Sequence, residues 1–274
     1  MNEKHFLDTS VLRPILTSPP KVKEYYESVL KGEKYTCEYV RMEFLRGYIK
    51  SSINFYFLLA MPQYTSFSDV LNIWSNKFQI REHKNIEVMI ANLFEFNECL
   101  NNRDKSLRVL ADYIRRLIGK LHHSLKKIGN DSTYCTKGEL KLEFNPVELD
   151  ESLRSFVNIL QDNKQYKNCK INEFIKQKHK DDIKRIIEIA DKINELGNKK
   201  GFDKIVESLK SLSEKEITCA YCSKLGDAII ALLSDVNWSL EHTDYSFNYL
   251  CEILNKKHSI HPYDKIIMDS QNVM

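Results

Sequence analysis

Apolar residues in this chain form short runs at its two ends and helical stripes through its middle. Near the start, His5-Phe6-Leu7-Asp8-Thr9-Ser10-Val11-Leu12 sets apolar residues on both sides of one aspartate, the pattern of a buried strand with a polar site at its end. Pro19-Pro20 then introduce a helix over 21–31, with Gly32 as its stop. Residues 34–37 read as a second short strand. It runs into a helix over 38–49, where Val40, Phe44, Leu45 and Tyr48 share an apolar face. From 52 to 216 the pattern is helical, with 139–144 as the one strand candidate. The clearest helix covers 106–128, where Leu107, Leu110, Ile114, Leu117, Leu121, Leu125 and Ile128 recur at spacings of three and four. Further helices fit 85–101, 146–161, 171–196 and 202–212, while 131–133 and 163–168 read as loops. Past Cys219 the alternation returns: a buried helix over 224–233, a strand over 238–241, a helix marked by Phe247, Leu250, Cys251 and Leu254, and a last strand over 258–261.

Strands alternating with helices imply a parallel sheet covered on both faces. The expected fold is therefore α/β, with a central parallel sheet flanked by helices and built from residues 1–60 and 217–274. Residues 61–216 form a large, mainly α-helical region laid into it, partly core helices and partly an insertion around 129–215.

Composition narrows the classes. Eight glycines and six prolines in 274 residues are about 5%, against roughly 12% in an average chain. That excludes a turn-dense β-sandwich. Hydrophobic residues at 42% with charged residues at 29% can build a core, which excludes a disordered chain. No apolar run reaches the ~20 residues of a membrane helix, and Met1-Asn2-Glu3-Lys4 opens no secretory signal, so a cytoplasmic protein without membrane contact is expected. Net charge is only +3, but it is unevenly spread. Residues 101–128 hold eight Lys/Arg against two Asp, and the stretch from 219 onward is acidic. A basic middle with an acidic end suits a polyanion held near carboxylates, although lysine-rich helices are also ordinary solvated faces.

Four acids stand where such a sheet exposes its ligands. Asp8 ends the first strand, Glu43 lies on the helix after the second, Asp227 opens the apolar helix, and Asp244 follows the strand over 238–241. Each has a plain structural reading. Asp227 would meet a helix dipole, Glu43 would sit beside Arg46, and Asp244 would cap the next helix. Asp8 is harder to explain, because an unpaired carboxylate inside an apolar strand is costly. Converging carboxylates repel one another, and a fold that gathers them normally compensates with a divalent cation. Oxygen-only ligands suit Mg²⁺ or Mn²⁺, which can activate water and stabilise in-line attack on phosphorus.

The seven cysteines are an odd number without secretory context, which argues against a disulfide framework. Cys219-Ala-Tyr-Cys222 has the spacing of a zinc site but no second pair; Cys135 and Cys169 would have to complete it.

At the four acids the chain resembles the PIN-domain nucleases. Phe6-Leu7-Asp8-Thr9-Ser10 is similar to the family's opening strand ending in Asp-Thr-Ser or Asp-Thr-Asn. Glu43, within Val40-Arg41-Met42-Glu43-Phe44-Leu45-Arg46-Gly47, matches its glutamate on the helix after strand two. Gly226-Asp227-Ala228-Ile229-Ile230-Ala231 resembles its third motif, and Leu240-Glu241-His242-Thr243-Asp244-Tyr245-Ser246-Phe247 its last. The resemblance covers about the first 50 and last 55 residues, with the motifs in family order. It implies a PIN-like fold and metal-dependent phosphodiester hydrolysis, most often of RNA. Asp8, Glu43 and Asp227 would hold Mg²⁺ or Mn²⁺, Asp244 would complete the site directly or through water, and Ser10 and Thr243 would support it. The distance from Glu43 to Gly226, 183 positions, departs from compact members of the family.

Within that interval Arg108, Arg115, Arg116, Lys120 and Lys127 would follow a phosphate backbone, with Tyr113, His122, His123 and Tyr134 beside bases. The expected function is an endoribonuclease, in the setting of a toxin or defence effector, with RNA or single-stranded DNA as substrate and a second copy or an inhibitor (antitoxin) as partner. Two alternatives stand beside it. One is an inactive PIN-like module that binds nucleic acid or protein. The other is a Mg²⁺-dependent α/β phosphatase, weakened because Ser10 replaces the second acid of the usual Asp-x-Asp.

Overall fold

The opening apolar run does not stay extended. In the computed structural model, which describes residues 3–18, 20–64, 67–77, 89–90, 102–123, 126–127, 135–143, 148–161, 170–193, 202–214, 222 and 224–261, strand β1 (Lys4–Leu7) stops at Asp8 and helix α1 (Thr9–Thr17) follows at once. The cause is local. The Asp8 carboxylate accepts the Ser10 amide at 3.0 Å, an N-cap that favours helix over strand. Val11, Leu12 and Leu16 then fall on the buried side. The strand thus ends at Asp8, as the pattern predicts, and the apolar residues beyond it belong to a helix.

Helix α2 (Pro20–Val29) leads to Gly32, whose φ of +130° is open only to glycine. A side chain there would also strike the Glu3 carbonyl, 2.1 Å from an added Cβ. This turn delivers β2 (Glu33–Thr36) alongside β1. Helix α3 (Glu38–Phe44) passes through a π turn at Leu45–Ile49 and continues as α4 (Lys50–Ala60), about three turns beyond the expected end at 49. Ser51, Ser52 and Asn54 dilute the apolar stripe there, which hid the continuation. Helix α5 (Phe67–Lys77) was likewise not evident from the pattern.

The basic helix is α6 (Arg103–His123). Its Arg103 guanidinium caps α4 by donating to the Leu59 carbonyl at 3.0 Å and to that of Ala60. It ends earlier than expected because Lys126–Lys127 form a short strand, β3, on the edge of the sheet. Residues 139–144 hold no strand among the described positions. Thr136–Glu139 is a 3₁₀ turn, packed so closely on α3 that a Cβ at Gly138 would lie 2.0 Å from the Glu38 carbonyl. From this turn the buried Lys137 ammonium reaches the last carbonyls of α7 (Leu149–Gln161), at Leu160, 2.9 Å away. The single helix expected over 171–196 is two, α8 (Ile171–Lys178) and α9 (Lys180–Ile193), broken at His179. Helix α10 (Phe202–Glu214) follows. The helix expected over 85–101, apart from helical 89–90, and the loops at 131–133 and 163–168 lie outside the described residues.

The last motif series folds as α11 (Gly226–Leu233), β4 (Ser239–His242), α12 (Ser246–Leu254) and β5 (Lys257–Ile260). Lys256 donates to the carbonyls of Ala231 and Leu232 and thereby closes the end of α11.

The sheet is parallel throughout, in the order β3-β2-β1-β4-β5. One strand comes from the middle of the chain, so the sheet is not built from the two ends alone. From β1 the order runs outward to β2 and β3 on one side, then restarts at β4 on the other. The switch point therefore falls between β1 and β4, where parallel α/β sheets open a crevice at their carboxyl ends. Among the described residues no helix is long and apolar enough to cross a membrane.

Candidate active site at the carboxyl end of the sheet

The crevice between β1 and β4 collects the four acids. Leu7 is in register with Glu241, and the Asp8 amide donates to the Glu241 carbonyl at 3.0 Å, so Asp8 emerges from β1 beside the end of β4. Ser10 ties the two strand ends together. Its hydroxyl donates to Asp8 Oδ2 at 2.5 Å and accepts the Thr243 amide at 3.2 Å. Of the two residues expected to support the site, Ser10 bonds through its side chain to Asp8, and Thr243 meets Ser10 through its backbone amide.

Glu43 arrives from α3, two turns past the end of β2. Thr9, the residue after Asp8, donates its hydroxyl to Glu43 Oε2 at 2.6 Å. On the other side stands α11. A Cβ at Gly226 would lie 3.1 Å from Glu43 Oε1 and 2.9 Å from the Tyr39 hydroxyl, so only glycine lets α11 come this close to α3. Tyr39 is fully buried and donates to the Cys222 carbonyl at 2.8 Å, just ahead of α11. Asp227, the next residue, accepts a 2.6 Å hydrogen bond from the Ser246 hydroxyl. The Ser246 amide in turn donates to Asp244 Oδ1 at 3.0 Å. One serine therefore joins two of the acids, as Ser10 joins β1 to β4.

The electrostatics follow from this crowding. Burial raises the Asp8 pKa; hydrogen bonds from Ser10 and Thr9 oppose that rise, and Asp244 adds repulsion. Burial pushes Glu43 from 4.5 to about 7, against the Thr9 hydrogen bond and with repulsion from Asp8 and Asp227. Asp227 moves from 3.8 to about 6, chiefly through burial, with Asp8 and Asp244 repelling it and the Ser246 bond opposing. Among the described residues, the charges that act most strongly on these acids are one another's, and no lysine or arginine is a leading cause of their shifts. Four side chains separated by up to 236 positions in sequence thus share one field.

The donor set is oxygen only and its charge is uncompensated, which fits a hard divalent cation. Among the described residues, however, no three His, Cys, Asp or Glu side chains converge as a ready-made metal shell.

Below the crevice lies a buried hydrogen-bonded layer that the chain pattern did not mark. Glu241, 1% exposed, accepts from His5 Nδ1 at 2.8 Å and from His261 Nε2 at 2.7 Å. Burial alone would raise Glu241, but the bonds from His261, His5 and Ser239 outweigh it and hold its pKa below the usual value. His242, on the opposite face of β4, pairs with His258 at 3.1 Å, and burial lowers it to about 4.

The remaining candidates are placed elsewhere. Arg108, Arg115, Arg116 and Lys120 project to solvent from α6, whose Leu110, Ile114, Leu117 and Leu121 face the core. Arg115 and Arg116 are partly engaged with Asp112, at 3.0 and 3.7 Å. Tyr113 and His122, expected beside bases, bond instead to the Tyr48 hydroxyl at 2.7 Å and the Leu140 carbonyl at 3.0 Å. Lys127 takes its place on β3 opposite Thr36; Tyr134 lies outside the described residues. Cys222 is buried with its carbonyl on Tyr39, and Cys219 and Cys169 are outside the described residues. Cys37, Cys135, Cys222 and Cys251 form no disulfide.

Thr9, Ser246, Tyr39 and Gly226 are the site residues that sequence reasoning left unassigned. Thr9, Ser246 and Gly226 all lay inside the quoted motifs, beside an acid they now support or admit. The chain matches no known family model, no curated protein and no solved structure at a significant level.

Proposed function

We propose that this chain is a divalent-cation-dependent phosphodiesterase of PIN-like character that cleaves RNA. The reading rests above all on one observation: Asp8, Glu43, Asp227 and Asp244 come together at the switch point of a parallel sheet, where burial, and then repulsion from neighbouring acids, raises the pKa values of Asp8, Glu43 and Asp227. A fold that merely binds a polyanion gains nothing from four such carboxylates, because each repels a phosphate. A cation-dependent hydrolase needs them.

Mg²⁺ or Mn²⁺, when bound, would neutralise the phosphate and acidify a water. Asp8 and Asp227 would hold it from β1 and α11, with Glu43 and Asp244 on either side. Ser10 and Ser246 fix Asp8 and Asp227 through short hydrogen bonds, which presets the carboxylates before any ion arrives. Thr9 does the same for Glu43. With its pKa near neutrality, Glu43 can accept a proton from a water entering the crevice. The exposed cations of α6 supply a separate surface for the strand beyond the cleaved bond.

One observation favours a second reading. The lack of a preformed three-ligand shell among the described residues is what a PIN-like binding module without activity would show. Incubation of labelled RNA, single-stranded DNA and a phosphomonoester with Mg²⁺, Mn²⁺ or chelator separates the two. RNA cleavage that requires the cation and is abolished by Asp8→Asn supports hydrolysis. RNA binding without cleavage, unchanged by Asp8→Asn, supports the binding module. Phosphomonoester turnover with inert RNA would instead identify a phosphatase.

A further inference from the structure

Tyr245 is the most exposed large apolar or aromatic side chain among the described residues, at 70%. It stands between Asp244 and Ser246, the pair that links two of the site acids. Its hydroxyl has no hydrogen-bond partner and its ring no aromatic neighbour among the described residues, unlike Tyr25, which packs edge-on against Tyr26. The backbone beneath it is held on every side. The Thr243 amide is on Ser10, the Phe247 amide on the Asp244 carbonyl at 3.3 Å, and the Asn248 amide on the Tyr245 carbonyl at 3.1 Å. Phe247 anchors the same turn in the core. The result is a flat apolar face on a rigid mount at the rim of a negatively charged crevice.

We propose that Tyr245 is the platform on which an unpaired base of a single-stranded nucleic acid stacks. The inference rests on reading the crevice as a phosphodiester site. A nucleotide whose phosphate enters the crevice carries its base outward, and that base has an apolar face to cover. Tyr245 is the only large exposed ring that directly adjoins a site acid among the described residues. A tyrosine ring has two side-chain torsions to freeze, so ordering it costs little. A duplex buries both faces of each base in its own stack and leaves none for the ring; an unpaired strand does. The selection is therefore for single strands and, because every base has a π face, it is tolerant of sequence.

The test is equilibrium binding by fluorescence anisotropy with Ca²⁺ present. The probes are a labelled single-stranded oligouridylate and a strand of equal length built from abasic nucleotides. Stacking is worth ~1–3 kcal/mol per base, so Tyr245→Ala should bind the oligouridylate about 5- to 150-fold more weakly than wild type. Tyr245→Phe and Tyr245→Trp should retain affinity, and all forms should bind the abasic strand alike. An Ala variant that binds the oligouridylate as wild type does overturns the proposal. So does an equal loss on both strands, or a wild type that binds neither. Cleavage of the same oligouridylate with Mg²⁺ is scored separately. Stacking without cleavage retains the platform and removes the hydrolase reading; cleavage indifferent to Tyr245 does the reverse.

Discussion

The crevice should destabilise the cation-free protein above neutral pH, and Glu43 lets that cost be worked out. Its carboxyl titrates near 4.5 in the unfolded chain and at about 7 in the fold. Each factor of ten in that ratio is worth about 1.4 kcal/mol, so full ionisation costs the fold about 3 kcal/mol. The sign is that of a raised pKa. The folded state binds more protons than the unfolded one between the two values, so the stability is complete below pH 4.5 and is lost as pH rises through 7. Most of the loss should fall between pH 5 and pH 8. Glu43→Gln removes the titration while its amide oxygen can still accept from Thr9. In chelator at pH 8 the variant should therefore be more stable than wild type by up to about 3 kcal/mol, or roughly 6–10 °C in Tm. At pH 5 the advantage should shrink to well under half of that. Added Mg²⁺ at about 100 times its Kd should restore some 2.7 kcal/mol to wild type and much less to the variant. The assay is thermal or urea unfolding across pH 5 to 8.5, with and without the cation. A wild type and a variant with parallel pH profiles would refute the reasoning, as would a Gln variant that is the less stable at pH 8.

Three further outcomes are expected. Asp227→Asn should abolish RNA turnover while keeping or tightening strand binding, because a repulsive charge is removed; kinetics beside anisotropy will show whether the two separate. Gly226→Ala should push Tyr39 and Glu43 apart from α11, costing about 1–3 kcal/mol as overpacking, and should reduce cation-dependent turnover in protein that still folds. Glu241→Gln should cost about 1–3 kcal/mol at pH 7, since one of the two buried imidazole nitrogens now faces an amide N–H instead of a carboxylate oxygen. Because Glu241 is held below its usual pKa, the stability it brings is present at neutral pH and is lost as pH falls through that lowered value. The variant should lack that acid limb in a urea titration.

What the pattern of residues could and could not convey depends on the range of the interactions involved. Elements held by a strong local signal were legible: the stop at Gly32, the stripe of α6, the apolar helix after Gly226 and the last two strands. Other boundaries turn on local bonds or neighbours that periodicity does not carry. The Asp8 cap that ends β1 also starts α1, so Val11 and Leu12 continue the apolar run as helix. His179 divides α8 from α9 within one continuous amphipathic pattern. The pair Lys126–Lys127 is a strand only because β2 is beside it, and nothing in two lysines says so. Residues 139–144 looked extended, yet Gly138 lets a tight turn lie against α3.

The site was more legible than the helices around it, for a physical reason. A carboxylate at the end of an apolar run is expensive unless something uses it, so Asp8 stood out by itself, while Glu43, Asp227 and Asp244 stood out only as members of a set. The groups that make the acids tolerable did not, because a serine or threonine beside an acid is commonplace. Thr9, Ser10 and Ser246 each donate one short hydrogen bond to a carboxylate that burial and repulsion would otherwise protonate. Those bonds lower the pKa values, but not back to ordinary ones. The hydroxyls therefore hold the acids in place without quenching their charge, and the neutralisation is left to whatever enters the crevice. Had lysine or arginine stood in their positions, the carboxylates would be compensated within the fold, and the proposed cation would have no charge left to neutralise.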